Sequence, residues 1–122
     1  GYPFAITLDG AVVGAIGLTR TDAGRYDLGY WVGEPWWGRG IATEAALAIV
    51  RFARESLGLA ALDATHLDVN PASGRVLAKC GFVRTGEAKR WCEARQQTLK
   101  CHCLTLALDG RLAETAERSA ER

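Results

Sequence analysis

The hydrophobic period of this chain changes at Gly38-Arg39-Gly40, and that change limits the folds open to it. Upstream the pattern is that of short strands. Tyr2 to Leu8 reads as a strand, Asp9-Gly10 as a two-residue hairpin turn, and Ala11 to Thr19 as the return strand. A polar turn from Thr21 to Arg25 leads to a third strand, Tyr26 to Val32. Connections this short imply an antiparallel meander. Downstream, Ile41, Ala45, Ala48, Ile49, Phe52 and Ala53 form a helical stripe that stops near Leu57-Gly58. A fourth strand over Leu62 to Val69 then follows a helical crossover, which calls for a parallel contact in the sheet. Asn70-Pro71-Ala72-Ser73 leads into a short helix, roughly Ser73 to Cys80, closed by Gly81. Strands at Phe82 to Thr85 and Gln97 to Leu108 complete an α+β reading with a mixed, mostly antiparallel sheet.

With 122 residues, 48% of them hydrophobic, the chain suits one compact domain with a real core. The reading is a core over residues 1–110 and a charged, Ala-rich tail over 111–122, a frayed helix or disorder. A net charge of +1 gives no electrostatic reason to propose nucleic acid or a membrane surface as partner. No apolar run approaches the roughly 20 residues that span a bilayer, and no basic-then-apolar leader precedes the first strand. Cys80, Cys92, Cys101 and Cys103 lack the spacing of a disulfide framework, so reduced thiols in a cytoplasm are expected. Cys101-His102-Cys103 invites a metal reading, but strand alternation sends His102 to the face opposite both thiols, and no metal site is expected.

The turn at Gly38 and Gly40 carries chemistry. Glycine lets backbone approach a ligand closely. The first turn of a helix offers free N–H groups and a partial positive charge. Together they suit a pyrophosphate, with Arg39 as a cation at the rim. A P-loop would need Lys-Ser or Lys-Thr after the last glycine, where Ile41-Ala42 stand. A dinucleotide fingerprint would need a third glycine where Thr43 stands. Taken alone, the two glycines are equally consistent with a tight strand-to-helix turn and no ligand.

A second segment, Asn70-Pro71-Ala72-Ser73-Gly74-Arg75-Val76-Leu77-Ala78-Lys79-Cys80-Gly81-Phe82, follows the next strand. Together with Leu28-Gly29-Tyr30-Trp31-Val32-Gly33-Glu34-Pro35-Trp36-Trp37-Gly38-Arg39-Gly40-Ile41-Ala42-Thr43-Glu44-Ala45, it resembles the two cofactor segments of the GNAT N-acetyltransferases, in the RimJ/RimL-like branch. The resemblance runs from about Tyr2 to Leu108.

The resemblance implies a splayed parallel pair, Tyr26–Val32 and Leu62–Val69, with the pantetheine arm of acetyl-CoA in the gap. It implies that backbone groups of Tyr30, Trp31 and Val32 pair with the pantetheine, as an added strand would. It places the pyrophosphate on the turn of Trp37, Gly38, Arg39, Gly40, Ile41, Ala42 and Thr43. Asn70 would bond the pantetheine, Ser73 would sit by the sulfur, and Arg75 and Lys79 would reach the nucleotide. Asp27 is the first choice for general base, on the strand where many relatives carry Glu. The competing reading is a solvated strand carboxylate. Glu34, before Pro35, reads as a loop charge.

Ser73 stands where the RimL-like branch places an acid, although a hydroxyl there also suits a helix cap. The helix tyrosine common elsewhere in the family is missing, since no tyrosine follows Tyr30. Near the fifth strand, Glu93 is a weak candidate for an acidic partner and Cys92 no obvious substitute. His66 reads as a half-buried structural histidine, and Trp31, Trp36 and Trp37 as packing around the turn.

The function implied is direct acetyl transfer from acetyl-CoA to a primary amine, on a protein N-terminus or a small molecule, by a cytoplasmic protein that forms a homodimer. The alternative is a non-catalytic acyl-CoA-binding module or sensor. The chain has no methionine and starts at the hairpin, so it reads as N-terminally truncated relative to a family whose first helices wall the acceptor site.

Overall fold

The structure, a computed structural model, describes residues 1–108; the tail from 111 lies outside the described residues. Six strands form one sheet: β1 (Tyr2–Leu8), β2 (Ala11–Arg20), β3 (Tyr26–Val32), β4 (Ala61–Leu67), β5 (Val83–Cys92) and β6 (Gln97–Ala107). Helices α1 (Ile41–Glu55) and α2 (Pro71–Lys79) follow β3 and β4, and a short 3-10 turn (Glu34–Trp36) precedes α1. The strand order is β1-β2-β3-β4-β6-β5. Every neighbouring pair is antiparallel except β3 and β4. The β1–β2 turn has φ 51° at Asp9 and 83° at Gly10, the left-handed pair that a tight hairpin needs.

The β3–β4 contact positions the site. Its register holds a single pair, Asp27↔Asp63. Beyond that point no further β3–β4 pair forms, which leaves a gap toward their C-terminal ends. There β3 leads into the Gly38–Gly40 turn and α1, while β4 leads into Asn70 and α2. Two helix N-termini therefore stand at the mouth of one gap.

The core lies between the sheet and the helices. Val13, Leu18, Leu62 and Leu77 are its most buried large side chains. From α1 it takes Ala46, Ile49, Val50 and Ala53, an i, i+3, i+4, i+7 face. Ala48, expected in the stripe, is exposed instead, and Ala46 and Val50 take its place. A helix this rich in alanine leaves its stripe ambiguous by one residue's rotation; the bulk of Ile49, Val50 and Phe52 decides it. Phe52 packs edge-on against Tyr2 and Phe4, with ring centroids 5.6 and 5.3 Å away. Leu62→Ala should cost about 2–5 kcal/mol in urea unfolding, because its side chain has no access to solvent. Leu47→Ala, on the exposed face of α1, should stay within about 0.5 kcal/mol.

Three boundaries differ most from the sequence reading. β5 runs on to Cys92 rather than stopping at Thr85. It is an edge strand whose extension carries Glu87, Lys89 and Arg90, and such charge hides the alternation that marks a strand. β4 stops at Leu67, where the Asn70 N–H turns back onto the Leu67 carbonyl at 2.9 Å. α2 starts at Pro71, because Asn70 rather than Ser73 is the cap and proline suits the first helical position. Among the described residues, no helix is long and apolar enough to cross a membrane.

Candidate functional site

At the mouth of the gap, Gly38 and Gly40 both have φ 76°. A Cβ at either would touch nothing within 4 Å, so the demand for glycine is conformational. Gly40 caps α1 with no side-chain hydrogen bond. The first bond of the helix runs from the Glu44 N–H to the Gly40 carbonyl at 3.0 Å. The N–H groups of Ile41, Ala42 and Thr43 precede that bond and have no partner inside the helix, as an anion site requires. Arg39 is exposed at the rim.

The Trp37 indole N–H donates to the Val32 carbonyl at 2.6 Å and bridges the turn to the end of β3. Trp31 and Trp37 are more than half exposed, so of the three expected packing tryptophans only Trp36 packs into the core. The reason is strand parity for Trp31, which points to the face opposite Tyr30. From α2, the Cys80 thiol reaches the Thr43 carbonyl at 3.9 Å and ties the end of α2 to the first turn of α1. Burial raises the Cys80 thiol above its ordinary pKa, which keeps it protonated.

Asn70 caps α2 by accepting the Ser73 N–H at 3.3 Å. The Ser73 hydroxyl is thereby free of the capping role and lies 2.9 Å from the Tyr30 hydroxyl. The pair joins β3 to α2 across the gap. Burial raises the Tyr30 pKa, against a smaller lowering by the Ser73 hydrogen bond, so the phenol keeps its proton. The sequence reading uses only the backbone of Tyr30 and finds the helix tyrosine of other family members missing. A tyrosine does reach Ser73, from β3 instead of the helix. Gly74 lies over His66: a Cβ there would come within 2.8 Å of His66 Nε2. The His66 ring, partly buried, faces that of His102 at 5.0 Å. His102 Nε2 lies 2.6 Å from Asp68 Oδ1. Arg75 and Lys79 are exposed on α2.

At the closed end of the gap, two carboxylates face each other in register and meet different fates. Asp63 receives Arg25 Nε at 2.5 Å, Arg25 Nη2 at 2.8 Å and the Thr105 hydroxyl at 2.8 Å. The Arg25 hydrogen bond holds its pKa below the ordinary carboxylate value. Asp27 has no hydrogen-bond partner of this kind among the described residues. Burial first, then repulsion from Asp63, raise its pKa, and Arg90 and Arg25 only partly oppose this. The two carboxyls are thus pushed apart, Asp63 down and Asp27 up.

Asp27 opens into a cleft of ≈ 290 Å³ together with Thr19, Tyr30, Thr65, Ser73 and Arg90. A larger hollow of ≈ 600 Å³ lies alongside over β1–β3 and shares Thr19, Gly29 and Tyr30 with it. That hollow has no side-chain carboxylate, imidazole or guanidinium in its lining, whereas the smaller cleft holds Asp27 and Arg90. Glu34 is exposed. Glu93 is held at the β5–β6 tip by Trp91 Nε1 and Gln96 Nε2, at 3.1 and 2.8 Å, and does not line the cleft.

The Tyr30–Ser73 hydroxyls and the Asp27 carboxylate therefore share one cleft, and the free N–H groups at Ile41–Thr43 follow β3 beyond it. Sequence reasoning missed Arg90, which lies far along a charged edge strand with no local motif. It also missed Asp63, whose part depends on the parallel register.

Known proteins match this chain in sequence and in fold. The family model described as "Acetyltransferase (GNAT) domain" matches residues 1–83. The FsC-acetyl coenzyme A-N(2)-transacetylase of Aspergillus fumigatus is 44% identical over 64 residues, covering 52% of this chain and 26% of that protein. The [ribosomal protein uS5]-alanine N-acetyltransferase of Escherichia coli is 36% identical over 62 residues, covering 51% of this chain and 32% of that protein. These matches thus span about a third or less of either relative. Among solved structures, a GNAT-family acetyltransferase from Bacillus anthracis superposes with a TM-score of 0.77 at 23% identity, covering 87% of this chain and 66% of that one. By its matched domain, its sheet with one parted parallel pair and its relatives, this chain belongs to the GNAT acetyltransferase family.

Proposed function

We propose that the protein transfers the acetyl group of acetyl-CoA to a primary amine, on a protein N-terminus or a small molecule. The observation that supports this best is the parting of β3 from β4 after one pair, with unpartnered helix N–H groups following β3 and a raised-pKa carboxylate at the paired end. The two relatives are named for acetyl transfer to amines, and one name includes acetyl coenzyme A.

The N–H groups of Ile41, Ala42 and Thr43, with Gly38, Arg39 and Gly40 around them, hold the pyrophosphate of the co-substrate. Trp37 packs the rim. The β4-facing edge of Tyr30, Trp31 and Val32 lines the pantetheine, Asn70 bonds it from the other side, and Arg75 and Lys79 meet the nucleotide end. Asp27 takes a proton from the incoming ammonium, directly or through one water, and the neutral amine attacks the thioester carbonyl. As the C–S bond breaks, the attacking nitrogen sheds its second proton to solvent, Ser73 gives its hydroxyl proton to the sulfur and takes one from Tyr30, and solvent restores the phenol. Asp27 returns its proton to solvent, so the cycle closes. Four free cysteines support a reducing compartment, the cytoplasm.

The test is thiol release from acetyl-CoA over a panel of amines and peptides, alongside thermal melts. Amine-dependent release and a melting point raised by acetyl-CoA are expected. A raised melting point with silence across the panel would favour the acyl-CoA sensor. No shift and no release would remove both.

A further inference from the structure

The β5–β6 hairpin outruns β4. The last β4–β6 pair is Leu67↔Cys101, while β5–β6 pairing continues through Lys89↔Lys100, Arg90↔Leu99 and Trp91↔Thr98 to Cys92↔Gln97. This two-stranded arm returns Arg90 to the acceptor end of the cleft. There Nη2 donates to Thr65 Oγ1 at 3.2 Å, and the side chain lines the same hollow as Asp27 and Ser73. A guanidinium has five N–H donors, and this contact occupies one.

Arg25, Arg84, Lys100 and His102 each pair with a carboxylate, but Arg90 does not, among the described residues. It acts on Asp27 through its field without closing an ion pair. The cleft thus presents a carboxylate and an unpaired guanidinium in one lining, with the hydroxyls of Thr19, Tyr30, Thr65 and Ser73 around them.

We infer that Arg90 selects acceptors that carry a carboxylate beside the amine, so that the substrate is a small amino-acid-like zwitterion. This narrows the acetyl-transfer reading and rests on it. The ammonium of such a molecule faces Asp27 and its carboxylate takes the open donors of Arg90 in a charge-assisted pair. A peptide N-terminus brings a neutral amide to the same place. A polyamine brings a second cation, which Arg90 repels. A cleft of ≈ 290 Å³ suits an amino-acid-sized group.

The experiment compares the full chain with Arg90→Gln and Arg90→Lys, at saturating acetyl-CoA. Acceptors are matched pairs, each an amino acid and its carboxamide, over several side chains. The readout is the kcat/KM ratio of acid to amide, and how that ratio changes from wild type to variant. Intrinsic differences in amine basicity cancel in that comparison. An effect of Arg90 on Asp27 alone slows both acceptors equally and also cancels. The expected result is a ratio that falls roughly 10- to 100-fold in Arg90→Gln and recovers in part in Arg90→Lys. Turnover with a ratio that Arg90→Gln does not move overturns the inference alone. Silence with every acceptor overturns acetyl transfer, and the inference with it.

Discussion

Asp27→Asn lowers kcat/KM by about 10²- to 10⁴-fold, the range of a positioned general base, and leaves acetyl-CoA affinity in place. The amide keeps the shape of the carboxyl and loses its ability to take a proton. Wild-type activity should rise with pH through a limb that lies above the ordinary carboxylate value of 3.8, because burial and Asp63 hold the Asp27 proton on. The variant should lack that limb. Stability moves the other way. A carboxyl whose folded-state pKa is raised favours the fold while it is protonated, and that contribution is lost as pH rises through the raised value. At neutral pH the ionised Asp27 therefore costs stability, and the neutral amide should leave the melting point unchanged or higher. A large loss of rate without a loss of stability separates chemistry from folding. Unchanged turnover across pH would remove Asp27 from the mechanism.

Ala42→Asp should raise the acetyl-CoA Kd by roughly 10- to 100-fold without weakening the free protein. The new carboxylate stands in the first turn of α1, among the N–H groups assigned to the pyrophosphate. Two unit charges about 5 Å apart repel by about 3 kcal/mol at an effective dielectric of ~20, which is a hundredfold effect or more before screening. In the free protein the same charge faces the positive end of the helix and adds about 0.3–1 kcal/mol. Calorimetric titration and a ligand-free melt check both halves. A variant that binds as tightly as wild type would place the anion elsewhere. One that melts much lower would make the affinity loss a folding effect.

Legibility in the sequence followed the range of the interactions. The Asp9-Gly10 hairpin, α1 and the glycine turn are local, and they stand where the residues predict. Asp27 was named from its place on β3. Its physical reason, burial beside the charged Asp63, depends on a register between strands with α1 between them. The Tyr30–Ser73 contact spans 43 positions and the Arg90–Thr65 contact 25, and no periodicity reports such pairs. The long β5 was hidden because an edge strand built from charges lacks the alternation that marks a strand. A hydroxyl at Ser73 suits a helix cap by residue type, yet an asparagine before proline is itself a strong cap, and Asn70 takes that place.

Amide spectra of the ¹⁵N-labelled chain during titration with acetyl-CoA test the central claim most directly, that one gap between β3 and β4 holds the co-substrate. The expected result is that the largest shifts fall on Gly38, Gly40, Ile41, Ala42 and Thr43 at the mouth, and on Tyr30, Trp31 and Val32 along β3. Saturating shifts confined to other parts of the sheet, or no shifts at millimolar acetyl-CoA, would contradict it.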